Sequence, residues 1–416
     1  MKLKPSPFAP AAFPTLPAVK GVLAATASRG FYARRGVERD DVFLFVLPDG
    51  TSTAGVFTRS HTASADVDWC RMALKAGKGK ARALVVNAGN SNAFTGKAGV
   101  LKNDATLKAM VETLGVPREE CFLAATGVIG EPLPDPNYVG QMLPDLSGRL
   151  APPDWEACTR AFMTTDTFPK ASGGSCEIDG VEVSVAGILK GSGMIMPNMA
   201  TMLCYVFTDA ALTPEVLDTL LRGSVDRSLN SVTVDGDTST SDSCMLFATG
   251  GSGAPLIESA DDPRLEAFRA LIDETFRDLA HQLVKDGEGA SKFVEIRIEG
   301  AVSEASAKTI GMHIANSPLI KTAMAAGDAN WGRIVMAVGK SLEPISKDEM
   351  RIWFGDHLVA EGGMRSPGYD EARASAHFAG DHISVRVDVA AGDAAWTVWT
   401  CDLTHAYVDI NGAYRT

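Results

Sequence analysis

Three times this chain sets a capping side chain directly before a proline at the head of an apolar helical stripe: Thr213-Pro214, Asp262-Pro263 and Ser317-Pro318. The oxygen of such a cap accepts one of the unbonded N–H groups of the first turn, and the proline has no N–H to satisfy and a preset φ. Behind the first cap run Val216, Leu217, Leu220 and Leu221. Behind the second run Leu265, Phe268, Ile272, Phe276, Leu279 and Leu283, and the third run stops at Gly327. Residues 104–114 put Leu107, Met110, Val111 and Leu114 on one face before Gly115, which predicts a fourth helix. Elsewhere the apolar period drops to two, the period of strands. Phe43, Phe45 and Leu47 alternate, Pro48-Asp49-Gly50 supplies a turn, and a strand from near Ser52 completes an expected hairpin. Residues 84–86 read as a short buried strand, and the first forty residues, rich in Pro and Gly, as surface covering. Val294, Ile296 and Ile298 alternate, as do Ile383, Val385, Val387 and Val389, and then Trp396 and Val398. Residues 296–416 therefore read as a smaller α/β domain after a first domain of 1–295.

With 416 residues the chain is long enough for a large core without disulfides or a structural metal. A net charge of −12 argues against nucleic acid as a partner, because phosphate binding needs a concentrated basic surface. The basic run 75–82 reads as a solvated loop. Seven cysteines form no C-x-x-C pair, a pattern of free thiols in a reducing compartment. Prolines interrupt the N-terminus before any signal-like apolar stretch, and no apolar run reaches the ~18 residues of a membrane span. The chain reads as cytoplasmic. Its seven histidines show no metal-ligand spacing. Asp235-Gly236-Asp237 opens like a calcium loop but has Leu246 where the bidentate glutamate belongs. Neither a metal nor a cofactor is expected.

Residues 189–204, LKGSGMIMPNMATMLC, are the most unusual stretch. A flexible Gly191-Ser192-Gly193 turn leads through Pro197-Asn198 to a small residue, Ala200, then a hydroxyl residue, Thr201, then an apolar strand-like run. A strained turn there would set the Thr201 hydroxyl against the carbonyl before it. Attack would move the chain from nitrogen to oxygen, and water would release a new N-terminal threonine. Its α-amine, with an ordinary pKa of ~7.7–8, would then serve as base for its own hydroxyl. The same residues also fit an ordinary loop entering a buried strand, with methionines filling the core.

Two other segments gather small polar residues. Residues 124–130, AATGVIG, would offer a backbone N–H and the Thr126 hydroxyl to an oxyanion, or simply turn at a strand end. Glu288, between two glycines, reads as an exposed carboxylate available to a substrate ammonium, or as part of a solvated helix exit.

The segment KGSGMIMPNMATML (190–203) resembles the cleavage signature of the ornithine acetyltransferase family. The blocks NAGNSNAFTG (87–96), AATGVIG, MTTDTFPK (163–170), TVDGDTSTSD (233–242), VKDGEGASK (284–292), GDANWGRI (327–334) and the terminal YVDINGAYRT agree with it in order. The resemblance implies an α/β (α+β) sandwich of layered sheets and helices, related to self-cleaving aminopeptidases. It implies cleavage between Ala200 and Thr201 into chains 1–200 and 201–416, which stay associated, with a dimer of cleaved protomers as the assembly. It further implies ping-pong transfer of acetyl from N-acetylornithine to glutamate through Thr201, with acetyl-coenzyme A as a second donor in some members. On the family pattern Thr126 and Gly127 form the oxyanion hole, and Thr164, Lys190, Glu288, Asn411 and the terminal Thr416 line the substrate pocket beside Thr201. The chain's end must then return to the site. Phe94 and Ser241 depart from the pattern, where Cys and Asn are expected; Met196 falls at a variable position.

The nearest rival is an N-terminal-nucleophile aminopeptidase or amidase, in which water resolves the acyl-enzyme. A non-catalytic small-molecule-binding protein is the rival of another class. Its glycine turns at 191–193 and 250–253 do not continue as phosphate-binding motifs.

Overall fold

A computed structural model describes residues 4–33, 36–196 and 202–413. Strands and helices are numbered in chain order. The first sheet is ordered β1-β2-β4-β5: β1 (Leu23–Ala27), β2 (Val42–Val46), β4 (Ala83–Asn90) and β5 (Cys121–Val128). The second is ordered β3-β10-β8-β7-β6: β3 (Ser52–Phe57), β6 (Lys170–Ile178), β7 (Val181–Lys190), β8 (Leu203–Thr208) and β10 (Ser243–Ala248).

These two sheets pack face to face. Phe43 and Phe45 of β2, Leu84 and Val86 of β4, and Phe122 of β5 share one buried cluster with Tyr205, Phe207 and Phe247 of the second sheet. The Phe45 and Phe207 ring centroids lie 4.6 Å apart. Fully burying a side chain of this size is worth ~1.5–3 kcal/mol, and the period-two alternation puts every second residue into this layer. Helices α1 (Ala65–Ala76) and α4 (Trp155–Phe162) add Val67, Cys70, Trp155 and Phe162 to the same cluster. The outer face of the first sheet is covered by α2 (Gly96–Leu114) and the short α3 (Leu143–Gly148), that of the second by α5 (Pro214–Arg227) and α6 (Glu266–Lys285). The result is a helix–sheet–sheet–helix sandwich.

The third sheet is ordered β14-β13-β12-β15-β11-β16-β9. It comprises β9 (Val232–Thr233), β11 (Phe293–Ala301), β12 (Arg351–Phe354), β13 (His357–Glu361), β14 (Met364–Arg365), β15 (His382–Asp388) and β16 (Ala394–Cys401). Its core is closed by α7 (Glu304–Ala315), α8 (Pro318–Ala326), α9 (Trp331–Lys340) and α10 (Glu371–Ala379). The last helix is α11 (His405–Ala413). No helix among the described residues is long and apolar enough to cross a membrane.

The expected hairpin at Pro48-Asp49-Gly50 is not formed. The turn is there, with Thr51 N donating to Pro48 O at 3.3 Å. But both edges of β2 are already occupied by β1 and β4, so β3 passes into the second sheet and pairs with β10. The N-terminal forty residues are more than covering: β1 lies within them and adds Ala25 and Ala27 to the core under α2. The fourth helix begins at Gly96, eight residues before its expected start at Asp104, and Asp262-Pro263 opens a short 3-10 turn before α6.

One packed histidine sets a pH dependence. His281 of α6 lies between the rings of Phe293 and Trp399, at 5.1 and 4.8 Å, and its Nε2 has no hydrogen-bond partner among the described residues. Burial, helped by Lys285, pushes its pKa down to about 4. The unfolded chain takes up this proton near its ordinary ~6.5, so between those values it binds more protons than the folded one. Stability is expected to fall as pH drops from ~6.5 towards 4 on this account. His281→Phe should flatten that slope in urea midpoints measured across the window; an unchanged slope would exclude His281 as its source.

Candidate active site

The layer between the two sheets ends in a cavity of about 210 Å³. Lys190, Leu203 and Ser243 are register partners across the adjacent strands β7, β8 and β10. They continue, two residues on, the alternation of Ile188, Tyr205 and Met245 that fills the layer. Thr126 does the same in β5 after Phe122 and Ala124. The cavity is thus the place where the aromatic filling stops and polar residues of the same faces take over.

Thr126, Gly127, Thr164, Lys190, Glu288 and Asn411 all line it. Ala200, Thr201 and Thr416 lie outside the described residues; Leu203, two residues beyond Thr201, is in the cavity wall. Gly127 has a φ of 130°, and a Cβ there would lie 2.4 Å from the Gly89 carbonyl carbon and 2.7 Å from Asn90 N. Only glycine fits this register, in which β4 and β5 bring Gly89 and Gly127 together.

Glu288 is 8% exposed, not the solvated carboxylate expected from its flanking glycines. The turn after α6 folds inward because Asp286, two residues earlier, is anchored in the interior. Asn411 Nδ2 of α11 donates to Glu288 Oε2 at 2.6 Å, so the chain's last helix returns to the cavity. Burial raises the Glu288 pKa; the hydrogen bonds from Asn411 and Thr165 oppose it. Gly193 packs so closely that a Cβ would lie 2.5 Å from Glu288 Cδ.

The anchor is a buried ion network absent from the sequence reading. Lys170 Nζ, fully buried, bonds Asp166 Oδ1 at 2.7 Å and Asp286 Oδ2 at 2.5 Å. Asp166 also accepts Gly191 N at 2.7 Å and Thr164 N at 3.0 Å. Ser192 Oγ donates to Asp286 O at 2.6 Å, and Glu288 N to Ser192 O at 3.1 Å. Burial works against the Asp166 charge, but Lys170 and Lys190 outweigh it and hold the carboxyl well below the usual range. Asp286 is raised by its burial, against the opposing pull of Lys170. Removing one member of such a buried set typically costs ~3–5 kcal/mol, so the loops carrying Thr164, Lys190 and Glu288 are held as one unit.

Lys190 forms no ion pair among the described residues. Burial lowers its pKa; Asp166 pulls the other way, and the nearby Lys170 adds to the lowering. Asp235, Asp242 and Tyr407 line the cavity too, and the sequence marks none of them as a site residue: Asp235 reads there only as the start of an incomplete calcium loop. Burial pushes the Asp242 pKa well up, and its Oδ2 has no hydrogen-bond partner among the described residues. The signal that links these two aspartates is their place in the block 233–242. Of the departures from the family pattern, Ser241 lines the cavity whereas Phe94 is 79% exposed and does not. Buried thiols are poor rival nucleophiles: burial pushes Cys70 and Cys121 up to about 12. No group of three metal-ligating side chains occurs among the described residues.

A model of the ArgJ family matches residues 25–416. The arginine biosynthesis bifunctional protein ArgJ of Rhizobium meliloti is 51% identical over 414 residues, 99% of each chain. That of Agrobacterium fabrum is 50% identical over 419 residues, the whole of both chains. A crystal structure of the bifunctional ArgJ protein of Bacillus halodurans is 32% identical, covers 50% of this chain and 96% of its own, and superposes with a TM-score of 0.48.

Proposed function

This chain belongs to the ArgJ family, and on that premise we propose that it is an acetyltransferase of arginine biosynthesis that matures by cutting itself before Thr201. In the cut, the Thr201 oxygen bonds to the Ala200 carbonyl carbon, the C–N bond breaks, and the hydroxyl proton passes to the released amine. Water then hydrolyses the ester, leaving a carboxylate on Ala200 and a free α-amine on Thr201. In transfer, that amine takes the hydroxyl proton as Thr201 attacks the acetyl carbonyl of N-acetylornithine, and the proton leaves with ornithine. The amine of glutamate then attacks the acetyl ester, the bond to the Thr201 oxygen breaks, a proton from the attacking amine passes through the Thr201 α-amine to that oxygen, and N-acetylglutamate departs. Thr126 and Gly127 stabilise the oxyanion. Lys190 receives a substrate carboxylate, and Glu288, steadied by Asn411, an ammonium; Thr164 and Thr416 complete the pocket. Acetyl-coenzyme A enters as a second acetyl donor and not as a bound cofactor.

The observation that carries this reading is the meeting of Thr126, Gly127, Thr164, Lys190, Glu288 and Asn411 around one cavity whose wall includes Leu203. Six register pairs join β7 to β8 on either side of the cut, from Val185–Thr208 to Lys190–Leu203, which favours chains 1–200 and 201–416 staying together. The smaller domain, 296–416, serves on this reading to bring Asn411 and Thr416 to the site. The assembly is a dimer of cleaved protomers in the cytoplasm.

The test is product analysis with N-acetylornithine, with and without glutamate. Ornithine and N-acetylglutamate should appear one for one. Free acetate at the same rate in both tubes would make the protein an amidase instead.

A further inference from the structure

The chain leaves β7 at Lys190 and re-enters its neighbour β8 at Leu203, the register partner of Lys190. The described part of the connection between them, up to Met196, is fastened to residues 233–238 by a dense set of bonds. Asp235 spans two successive amides: Met194 N donates to Oδ2 at 2.7 Å and Ile195 N to Oδ1 at 2.8 Å. Ile195 O accepts from Val234 N at 2.7 Å and from Thr233 Oγ1 at 3.0 Å. Met196 N donates to Asp237 O at 2.9 Å, and Met196 O accepts from Thr238 Oγ1 at 3.0 Å. The Asp235 fork holds an unfavourable backbone: Met194 has a φ of 58°, in the left-handed region that side chains other than glycine avoid.

We infer that Asp235 is a positioning residue for self-cleavage, its carboxylate fixing the segment that leads into the Ala200–Thr201 bond. The inference rests on the reading of Thr201 as the cleaved residue. An internal N-to-O shift needs no cofactor and no second molecule in its first step; its rate depends on how often hydroxyl and carbonyl meet in line. Anchoring the chain a few residues upstream raises that frequency. A carboxylate suits the task because it accepts two N–H groups at once in charge-assisted bonds, which an amide cannot do. Tyr407 Oη, 3.4 Å from Asp235 Oδ2, adds a tie to the fork from the C-terminal helix.

The experiment follows intact mass over time after expression of the full chain as wild type, Asp235→Asn, Asp235→Ala and the double variant Asp235→Ala/Met194→Gly, with thermal unfolding as a control. Wild type should resolve into two fragments. Asp235→Ala should mature at least ~10-fold more slowly, and Asp235→Asn, which keeps one acceptor, by less. Adding Met194→Gly should recover part of the loss, since glycine enters the left-handed region freely; a merely stabilising role would lower the melting temperature with no such recovery. If Asp235→Ala does not fold, Asp235→Asn carries the comparison. Wild type and Asp235 variants maturing at one rate would overturn the role of Asp235 alone. A wild-type chain that stays whole would overturn the Thr201 reading, and this inference with it.

Discussion

Thr201→Ala is expected to leave a single chain of 43.9 kDa with no acetyl transfer above background, while wild type resolves into chains 1–200 and 201–416. The hydroxyl is asked to do two things, and alanine removes both. Losing a nucleophile that works as a unit with its base costs on the order of 10⁶ in kcat, so the residual rate should vanish in any ordinary assay. Co-expressing 1–200 with a chain that begins at residue 201 separates the roles. With threonine first, activity should be restored without any cut. With alanine first, the α-amine is present but the acetyl carrier is not, and transfer should stay absent. Cleavage of the full-length Thr201→Ala chain at the same bond would end the assignment.

Gly127→Ala is expected to lower kcat by ~10²–10³, the usual cost of losing an oxyanion donor. The added Cβ would sit 2.4 Å from the Gly89 carbonyl carbon, inside β4, so backbone has to move where the two strands meet. A φ of 130° leaves no relaxed conformation for alanine. Because the oxyanion exists only in the transition state, kcat and kcat/KM should fall together with KM little changed. A kcat equal to that of wild type would remove Gly127 from the chemistry.

Much of the local structure is determined by nearest neighbours along the chain. The cap-proline starts at Thr213 and Ser317, the glycine stops at Gly115 and Gly327, and the alternation of Val294, Ile296 and Ile298 each yield the element expected. These rest on φ preferences, side-chain period and, at Thr213, an orphan N–H taken by the capping hydroxyl, all properties of a few adjacent residues; the Ser317 side chain makes no such bond. The family was legible too, because its blocks recur in order. What the chain could not express locally was which edges are free. Pro48-Asp49-Gly50 turns as its residues dictate, yet β3 joins β10, because β1 and β4 already fill both sides of β2.

The same division runs through the site. The sequence by itself supplied the expected residues, Thr126, Gly127, Thr164, Lys190, Glu288 and Asn411, named from resemblance, and the fold brings them around one cavity. Only the tertiary structure decided the state of those groups. Glu288 follows a helix exit and looks solvated, but Lys170 draws Asp286 into the interior and carries Glu288 with it. Lys190 has an ordinary side chain at a strand end and a lowered pKa because the cavity buries it. Asp235 reads as the start of a failed calcium loop and becomes a two-armed acceptor for Met194 and Ile195, forty residues away. Charge, burial and hydrogen-bond supply depend on partners distant in sequence, and a carboxylate's neighbours exist only once the chain has folded around it.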